Sequence, residues 1–545
     1  MRESGELRYG FVIDHNRCIG CHACTVACKE EHNVPVGVFR TWVKYIEKGQ
    51  FPHTSRHFGV MRCNHCDDAP CVEICPTRAL FRRDDGIVDF DNSRCIGCQS
   101  CMQACPYDAL YLDPNTHTAA KCNFCAHRIE MNLEPACVVV CPTQAIIAGD
   151  LDNPQSQISQ IMGTQKVAAR KPQKGTRPKL FYVGIEGDLL QPSMMEPQPT
   201  YMFADRRVDE RKHPFLTRSR KKPEGARRIN GRRGIARSNP GAARVVYDVA
   251  HPQPWGSLPA FYLWTKSIAA GVLMVAALLF AVAPEPAPGG PLLFMRLAPA
   301  TALLFTGATA LLLIADLHRP ERFHYILLKP NPRSWLVAGT WILILYSIIA
   351  ASWLAGGRGL TGPSHVSIIA AAATAGACSA GYSGFLFAQA KGRDLWQSPL
   401  FMWHLLVQAI VAGSATMILL AVLAGYPAIA DATDGGRNIV KASNLLLLIG
   451  LVVSVLIVLG ELVITPFSAD ADYAADMILR GRLRNMFWLG VVVIGTVIPA
   501  GLVSYELATG AVSVVREGFA AVMSLAGLLV FERIWIIAGQ AAPLS

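Results

Sequence analysis

Sixteen of the chain's seventeen cysteines fall within the first 141 residues, in four blocks of four. The blocks are Cys18, Cys21, Cys24, Cys28; Cys63, Cys66, Cys71, Cys75; Cys95, Cys98, Cys101, Cys105; and Cys122, Cys125, Cys137, Cys141. Thiols at such short intervals leave little room for the apolar periodicity that builds an ordinary core. A region of this kind must be held together largely by whatever its cysteines bind, with short loops and hairpins between.

The spacing selects among thiol chemistries. Blocks one and three read Cys-x2-Cys-x2-Cys-x3-Cys, and three of the four blocks close with Cys-Pro, at Cys75-Pro76, Cys105-Pro106 and Cys141-Pro142. This is the run of bacterial ferredoxins, in which the last cysteine of each run serves the other cluster. Three thiolates from a tight loop wrap one face of a cubane, and the fourth comes from elsewhere because the loop cannot turn back soon enough. Four complete blocks predict four [4Fe–4S] clusters with all sixteen cysteines as metal ligands. Zinc also takes Cys-x2-Cys pairs, but four full runs, three followed by proline, leave it little room. Disulfides would require a secreted chain, and no secretion signal is read. Cys18-Ile-Gly-Cys21-His22 spells a c-type haem attachment sequence, yet both cysteines already belong to a ferredoxin run. Cys378, alone in an apolar stretch, reads as a small buried residue.

The 545 residues are too many for one ordinary domain, and composition divides them. Residues 1–190 are polar and cysteine-rich, and residues 251–545 form a membrane half dominated over 258–540 by Ala, Val, Leu and Ile. Between them, 191–250 reads as a basic linker. From Asp205 to Arg244 there are fourteen Lys or Arg against four Asp or Glu, which is +10 of the chain's formal +11. Beside membrane helices such an arm suits anionic lipid headgroups or a partner subunit, and a merely solvated tether is the plain alternative; no nucleic acid is expected. The cysteine-rich half repeats itself: Pro76-Thr-Arg-Ala-Leu returns as Pro106-Tyr-Asp-Ala-Leu and Pro142-Thr-Gln-Ala-Ile, each a candidate short strand.

A helix needs ~20 apolar residues to cross the hydrocarbon layer. Eight such stretches occur, near 259–282, 292–315, 335–355, 366–389, 400–425, 443–465, 486–505 and 515–540. The fold class expected is therefore a ferredoxin-like α+β iron–sulfur domain followed by an all-α integral membrane domain of eight transmembrane helices. Eight crossings return both ends of the membrane half to the side of the cluster domain. Loops on that side, Leu317–Ser334, Lys391–Gln397 and Asp470–Arg484, hold most of the loop Arg and Lys, while the opposite loops hold few, among them Arg358, Arg437 and Lys441. By the positive-inside rule that side is the cytoplasmic face of the inner membrane.

Two segments carry a family resemblance. Asp316-Leu-His-Arg-Pro-Glu-Arg-Phe323, followed by Pro330-Asn-Pro-Arg-Ser-Trp335, resembles the signature of the NrfD-type, or polysulfide-reductase, membrane subunits. Residues 1–190, with Gly175-Thr-Arg-Pro-Lys-Leu-Phe-Tyr-Val183 as a closing strand, resemble the four-cluster electron-transfer subunit of the DMSO-reductase superfamily. The resemblance implies how the blocks exchange ligands: Cys18, Cys21, Cys24 with Cys141; Cys122, Cys125, Cys137 with Cys28; Cys63, Cys66, Cys71 with Cys105; and Cys95, Cys98, Cys101 with Cys75. It also implies a redox subunit that passes electrons between a molybdopterin catalytic partner and the quinone pool. The substrate chemistry would lie on the partner, the first block's cluster nearest that partner and the third block's nearest the quinone. Some family members face the other way across the membrane, so the basic signature loop weighs less in the sidedness argument.

Residue chemistry supports a haem-free, quinone-reacting membrane half. A b-type haem would need two facing imidazoles within the helices, and His404 alone lies inside a span; no haem is expected. Exchange of quinone and quinol moves protons, and ionisable groups within spans are costly and so point to function. The candidates are Tyr262, Lys266, Asp316, Arg319, Arg322, Tyr382, His404 and Glu461, all toward the cluster side. Each has a structural alternative: Lys266 snorkelling to the surface, Asp316 pairing with Arg319 or Arg322, His404 as an interhelical hydrogen-bonder. Glu532 and Arg533 read as pairing with another helix, and Arg296 as an interfacial anchor. Two rival functions remain: a quinol dehydrogenase feeding a multihaem cytochrome, and a quinol-oxidising, proton-translocating subunit.

Overall fold

Three short strands each begin five residues after a cysteine that precedes proline: Leu80–Arg82 after Cys75, Leu110–Leu112 after Cys105, and Ile146–Asp150 after Cys141. In all three the chain turns at a left-handed residue, Arg78, Asp108 or Gln144, with φ of 54°, 56° and 52°. An alanine follows each time, and in two of the turns its N–H aims back at the cysteine: Ala145 N donates to Cys141 Sγ at 3.2 Å, and Ala109 does the same to Cys105. The repeated pentapeptides are thus one local device used three times.

The computed structural model describes residues 7–50, 52–185, 190, 192, 195–197, 243–282, 292–356, 363–424, 434–464, 468–510 and 513–545. Contacts divide the molecule into two units, Met1–Pro254 with Ala542–Ser545, and Trp255–Ala541.

The strands of the first unit are β1 (Tyr9–Asp14), β2 (Thr41–Gln50), β3 (His53–Arg62), β4 (Leu80–Arg82), β5 (Val88–Phe90), β6 (Leu110–Leu112), β7 (Ala119–Lys121), β8 (Ile146–Asp150), β9 (Val167–Ala168), β10 (Leu180–Val183), β11 (Glu196–Pro197) and β12 (Arg244–Tyr247). One sheet runs β8-β1-β10-β9 and a second β11-β12-β2-β3. The expected closing strand, β10, lies parallel beside β1, with Phe11 opposite Leu180 and Asp14 opposite Val183. β4 with β5 and β6 with β7 form separate two-stranded hairpins. The core is small: Phe11, Ile13, Phe124, Leu180 and Tyr182 pack against Cys24 and Cys137. The two ends of the expected linker supply strands β11 and β12, so residues on either side of its basic stretch belong to a sheet. The stretch from Asp205 to Ala242 lies outside the described residues.

In the second unit eight helices among the described residues are long and apolar enough to cross a membrane: Leu258–Phe280, Leu293–Ala315, Trp335–Gly356, Val366–Ala388, Phe401–Leu423, Ile439–Val463, Met486–Thr509 and Val514–Gly539. They match the eight expected stretches to within a few residues. The first and fifth helices meet at glycines: a Cβ on Gly271 would fall 1.8 Å from the Ala409 carbonyl oxygen, and one on Gly413 would strike the Gly271 backbone. Small residues permit this approach where lipid offers no hydrophobic drive for helices to associate. The sixth helix ends in a π turn, Gly460–Ile464, and Glu461 sits in it; such turns are enriched at functional sites. Cys378 departs from expectation. It is exposed on the fourth helix, where an apolar thiol facing lipid costs nothing.

Candidate cluster and membrane sites

One local geometry recurs at all four cysteine blocks. The residue two past the first cysteine has positive φ: Gly20 at 68°, His65 at 42°, Gly97 at 71° and Phe124 at 62°. Its N–H thereby points at the first sulfur, at 3.5 Å from His65 to Cys63, 3.4 Å from Gly97 to Cys95 and 3.5 Å from Phe124 to Cys122, and likewise from Gly20 to Cys18. The third cysteine is the second residue of a short helix in every block: Cys24 in Ala23–Glu31, Cys71 in Pro70–Ile74, Cys101 in Ser100–Ala104 and Cys137 in Ala136–Val139. In the last three blocks, the fourth cysteine follows the helix end and is carried away from its own loop.

Where the fourth cysteines go follows from which sulfurs feel one another. Cys18 faces Cys141 and Cys21. Cys28 faces Cys122, Cys125 and Cys137. Cys66 faces Cys63 and Cys105, and Cys71 faces Cys105, Cys63 and Cys66. Cys101 faces Cys98, Cys95 and Cys75. Two of these quartets also line recesses together: Cys75, Cys95, Cys98 and Cys101 one of about 380 Å³, and Cys18, Cys21, Cys24 and Cys141 one of about 320 Å³, both volumes counting their open mouths. Among the described residues no three His, Cys, Asp or Glu side chains converge tightly enough for a single ion.

The donor set fits an iron–sulfur group. Backbone N–H groups aimed at sulfur favour thiolate over thiol, and hydrogen bonds to sulfur tune such clusters. Burial pushes the Cys24 thiol up to about 11 and those of Cys98 and Cys125 to about 12. Metal binding must therefore displace protons. At Cys141 burial acts the same way, but the N–H groups of Ala145, Ile146 and Thr143 outweigh it and hold the thiol below its usual value.

Electrostatic reach between quartets orders them. Cys24 of the Cys18 set faces Cys137. Cys122 of the Cys28 set faces Cys63. Cys101 of the Cys95 set faces Cys71. The quartets thus form a row, with the Cys18 and Cys95 sets at its ends.

In the eight-helix unit the candidate side chains fall into two buried groups. His404 Nδ1 lies 2.6 Å from Glu461 Oε2, both side chains fully buried. Gln408 Nε2 is 3.0 Å from His404 Nε2. With Gln408 donating, the imidazole proton sits on Nδ1 and is donated to the carboxylate. In the other group Lys266 Nζ donates to Ser383 Oγ at 2.5 Å and to Ala380 O at 3.2 Å, and lies 4.8 Å from the centre of the Tyr382 ring. Lys266 is 1 % exposed, so it does not snorkel. Tyr262 is within electrostatic reach of Tyr382, Asp316 and Glu532. Asp316 follows the second helix, and burial pushes its carboxyl up to about 6. In the loop beyond it, Arg319 pairs with Glu321 at 3.2 Å, and Arg322 is half-buried in the 3-10 turn Pro320–Arg322.

Glu532 bridges the two groups. It is 1 % exposed, feels both His404 and Lys266, and its Oε1 has no hydrogen-bond partner among the described residues. Arg533, its expected companion in pairing, is exposed. Sequence reasoning missed Glu532, Gln408 and Ser383 as members of the site. Glu532 was visible as a carboxylate in an apolar run, but Gln408 and Ser383 resemble any polar residue on a buried helix. A cavity of about 750 Å³, open mouth included, lies between the fifth, sixth, seventh and eighth helices. Gln408, Ser524, Phe531, Phe487 and Trp488 line it, and Phe531 packs on His404 with ring centres 4.8 Å apart.

Comparison with known proteins agrees with both units. Residues 246–543 match the family described as polysulphide reductase, NrfD, and residues 17–80 and 55–151 match 4Fe-4S dicluster domains. A subunit of the tetrathionate reductase of Salmonella typhimurium is 44 % identical over 196 residues, 35 % of this chain and 78 % of the relative. Protein NrfC of Escherichia coli is 46 % identical over 180 residues, 32 % of this chain and 81 % of the relative. The thiosulfate reductase electron transfer subunit PhsB of Salmonella typhi is 47 % identical over 163 residues, 29 % of this chain and 84 % of the relative.

Proposed function

This protein is a member of the polysulphide reductase, NrfD family, and from that premise we propose that it carries electrons between a molybdopterin catalytic subunit and the quinone pool. It joins an iron–sulfur electron-transfer region of the kind found in reductase complexes to a multi-pass membrane anchor. The observation that carries the proposal is the row of four quartets, whose neighbouring sulfurs feel one another from one set to the next. In this reading the sets are Cys18, Cys21, Cys24, Cys141; Cys28, Cys122, Cys125, Cys137; Cys63, Cys66, Cys71, Cys105; and Cys75, Cys95, Cys98, Cys101. Each holds a [4Fe–4S] cluster, which supplies one-electron transfer when bound. The end sets serve the partner and the quinone.

In the membrane unit, the recess beside Gln408 and Phe531 takes the ring and apolar tail of the carrier, its lining being mostly apolar with a few polar groups, as in ordinary ligand sites. Oxidation of a quinol releases two electrons and two protons. Glu532 Oε1 and the His404–Glu461 pair accept the protons, and Gln408 holds the imidazole in the tautomer whose Nδ1–H faces Glu461. Lys266, Ser383, Tyr382, Tyr262 and Asp316 supply the charged and hydrogen-bonding surroundings of Glu532. Metal analysis and reduction by a quinol analogue test this reading in the purified complex. Molybdenum or tungsten in a large partner, with cluster signals that the quinol fills, is expected. A c-type haem partner instead would favour delivery to a multihaem cytochrome.

A second reading, that the membrane unit also moves protons across the bilayer, has its own observation. Glu506 and Glu517 are both buried, with Arg516 Nε 3.1 Å from Glu506 and Asn444 Nδ2 3.2 Å from Glu517. Glu517 and Glu532 lie fifteen residues apart on the eighth helix, roughly 22 Å along its axis, so ionisable groups occur toward both ends of the bundle. Glu517→Gln should abolish quinol-driven proton uptake by proteoliposomes while leaving electron transfer; unchanged uptake removes this reading. The inner membrane is the expected location, with the cluster unit in the cytoplasm, and a reporter fused after Ser545 tests the side.

A further inference from the structure

Two fully buried cations of the cluster unit, each next in sequence to a block cysteine, lack what a buried cation ordinarily has. Arg62 ends β3 and is 0 % exposed. Its Nη1 donates to Cys137 Sγ at 3.1 Å, its guanidinium lies 4.5 Å from the centre of the Phe11 ring, and Nε and Nη2 have no hydrogen-bond partner among the described residues. Lys121 ends β7 and is also 0 % exposed. Its Nζ donates to the carbonyls of Val88 and Cys122. Among the described residues neither cation pairs with a carboxylate. Elsewhere in the same unit buried lysines do: Lys179 meets Asp67 at 3.4 Å and Lys44 meets Asp248 at 3.3 Å. Burying a charge without its counter-ion is strongly unfavourable; Arg170, also 0 % exposed, donates to the Leu544 carbonyl at 2.8 Å and lies over the Tyr107 ring, whereas Arg62 and Lys121 lie among cysteines.

Those cysteines, once they hold a cluster, supply an anion. Arg62 is felt by Cys24, Cys28, Cys122 and Cys137. Lys121 is felt by Cys71 and Cys122. Four thiolates round a [4Fe–4S] core leave a net negative charge, and reduction adds one electron and so one more unit of it. A fixed positive charge in a low-dielectric interior favours the more negative, reduced form. The Cys28 set receives both cations, and the Cys18 and Cys63 sets one each. For Cys98 and Cys101, the chief neighbouring charges are other cysteines.

We propose that Arg62 and Lys121 are fixed counter-charges that set the reduction potentials of the clusters in the middle of the row, above all that of the cluster held by Cys28, Cys122, Cys125 and Cys137. The proposal rests on the quartet reading given above. Both residues act through the clusters and are positioning residues.

The test is a redox titration of the full-length protein followed by electron paramagnetic resonance. Wild type should show four cluster signals and about sixteen irons per chain, four per cubane; fewer would defeat the quartet reading itself. In Arg62→Gln the midpoints of one or two signals should move to more negative potential. Lys121→Gln should move an overlapping pair, and the signal of the Cys95 set should stay in place. Arg62→Lys keeps the charge and should keep the wild-type midpoints. Arg56→Gln, at an exposed arginine paired with Glu47, should change none. If Arg62→Gln fails to retain its iron, Lys121→Gln and Arg62→Lys carry the comparison alone. Unchanged midpoints in iron-replete Arg62→Gln and Lys121→Gln overturn the proposal. So does an Arg62→Lys protein whose midpoints fall negative as charge removal would make them.

Discussion

At the scale of single residues, the protein places ionisable groups where water is absent and gives most of them a partner. Glu461 answers His404 across two helices, and removing its charge leaves Nδ1–H without a carboxylate. Glu461→Gln should slow quinol oxidation by roughly 100- to 10,000-fold, the usual range for a lost proton acceptor, with iron content unchanged; steady-state turnover with a quinol analogue measures it. Undiminished turnover removes the pair from the site. In the cluster unit, His251 lies 2.5 Å from Asp108 and 3.2 Å from Asp248. Burial pulls the imidazolium down, but the two carboxylates outweigh it and push it up to about 9. A group raised above its unfolded value of ~6.5 contributes its full stabilisation below that pH and loses it as pH rises through about 9. The contribution is about 3 kcal/mol below the unfolded value and smaller at neutral pH. Thermal bleaching of the cluster absorbance should therefore occur at lower temperature as pH goes from 7 to 10, and His251→Gln should flatten that dependence.

At the scale of elements, two devices are repeated. In the cluster unit a left-handed residue aims an N–H at a sulfur, and a short helix carries the third cysteine. The glycines of Cys-Ile-Gly-Cys announce this in two blocks, but His65 and Phe124 adopt the same backbone in the other two, so residue type concealed a common conformation. In the membrane unit the devices are glycine crossings. Gly271 and Gly413 join the first and fifth helices, and Gly495 meets Gly527 between the seventh and eighth. Gly271→Val should force the first pair apart at a cost of about 1–3 kcal/mol or more, read as a lower unfolding temperature in detergent. Gly518→Ala, where nothing lies within 4 Å of an added Cβ, is the matched control.

At the scale of the whole molecule, the two units rest on different physics. The cluster unit has short strands and a small core, and its folding free energy depends on bound metal. The helices satisfy their own backbone groups. Removing iron with a chelator under reducing conditions should unfold the strands while the helical circular dichroism of the spans persists; coincident loss of both signals would show that the units unfold as one. The sequence by itself determined what is local and periodic: sixteen cysteines at ligand spacing, the strands after each Cys-Pro, and eight apolar runs of membrane length, because neighbours along the chain dictate these. Tertiary structure alone decided what depends on residues far apart in sequence: that Lys266 is held inside by Ser383 and Ala380, that Glu532 joins His404 to Lys266, and that Arg62 and Lys121 face sulfur where a carboxylate would be expected. A charged side chain advertises its cost in the sequence, but the partner that offsets it is chosen by packing.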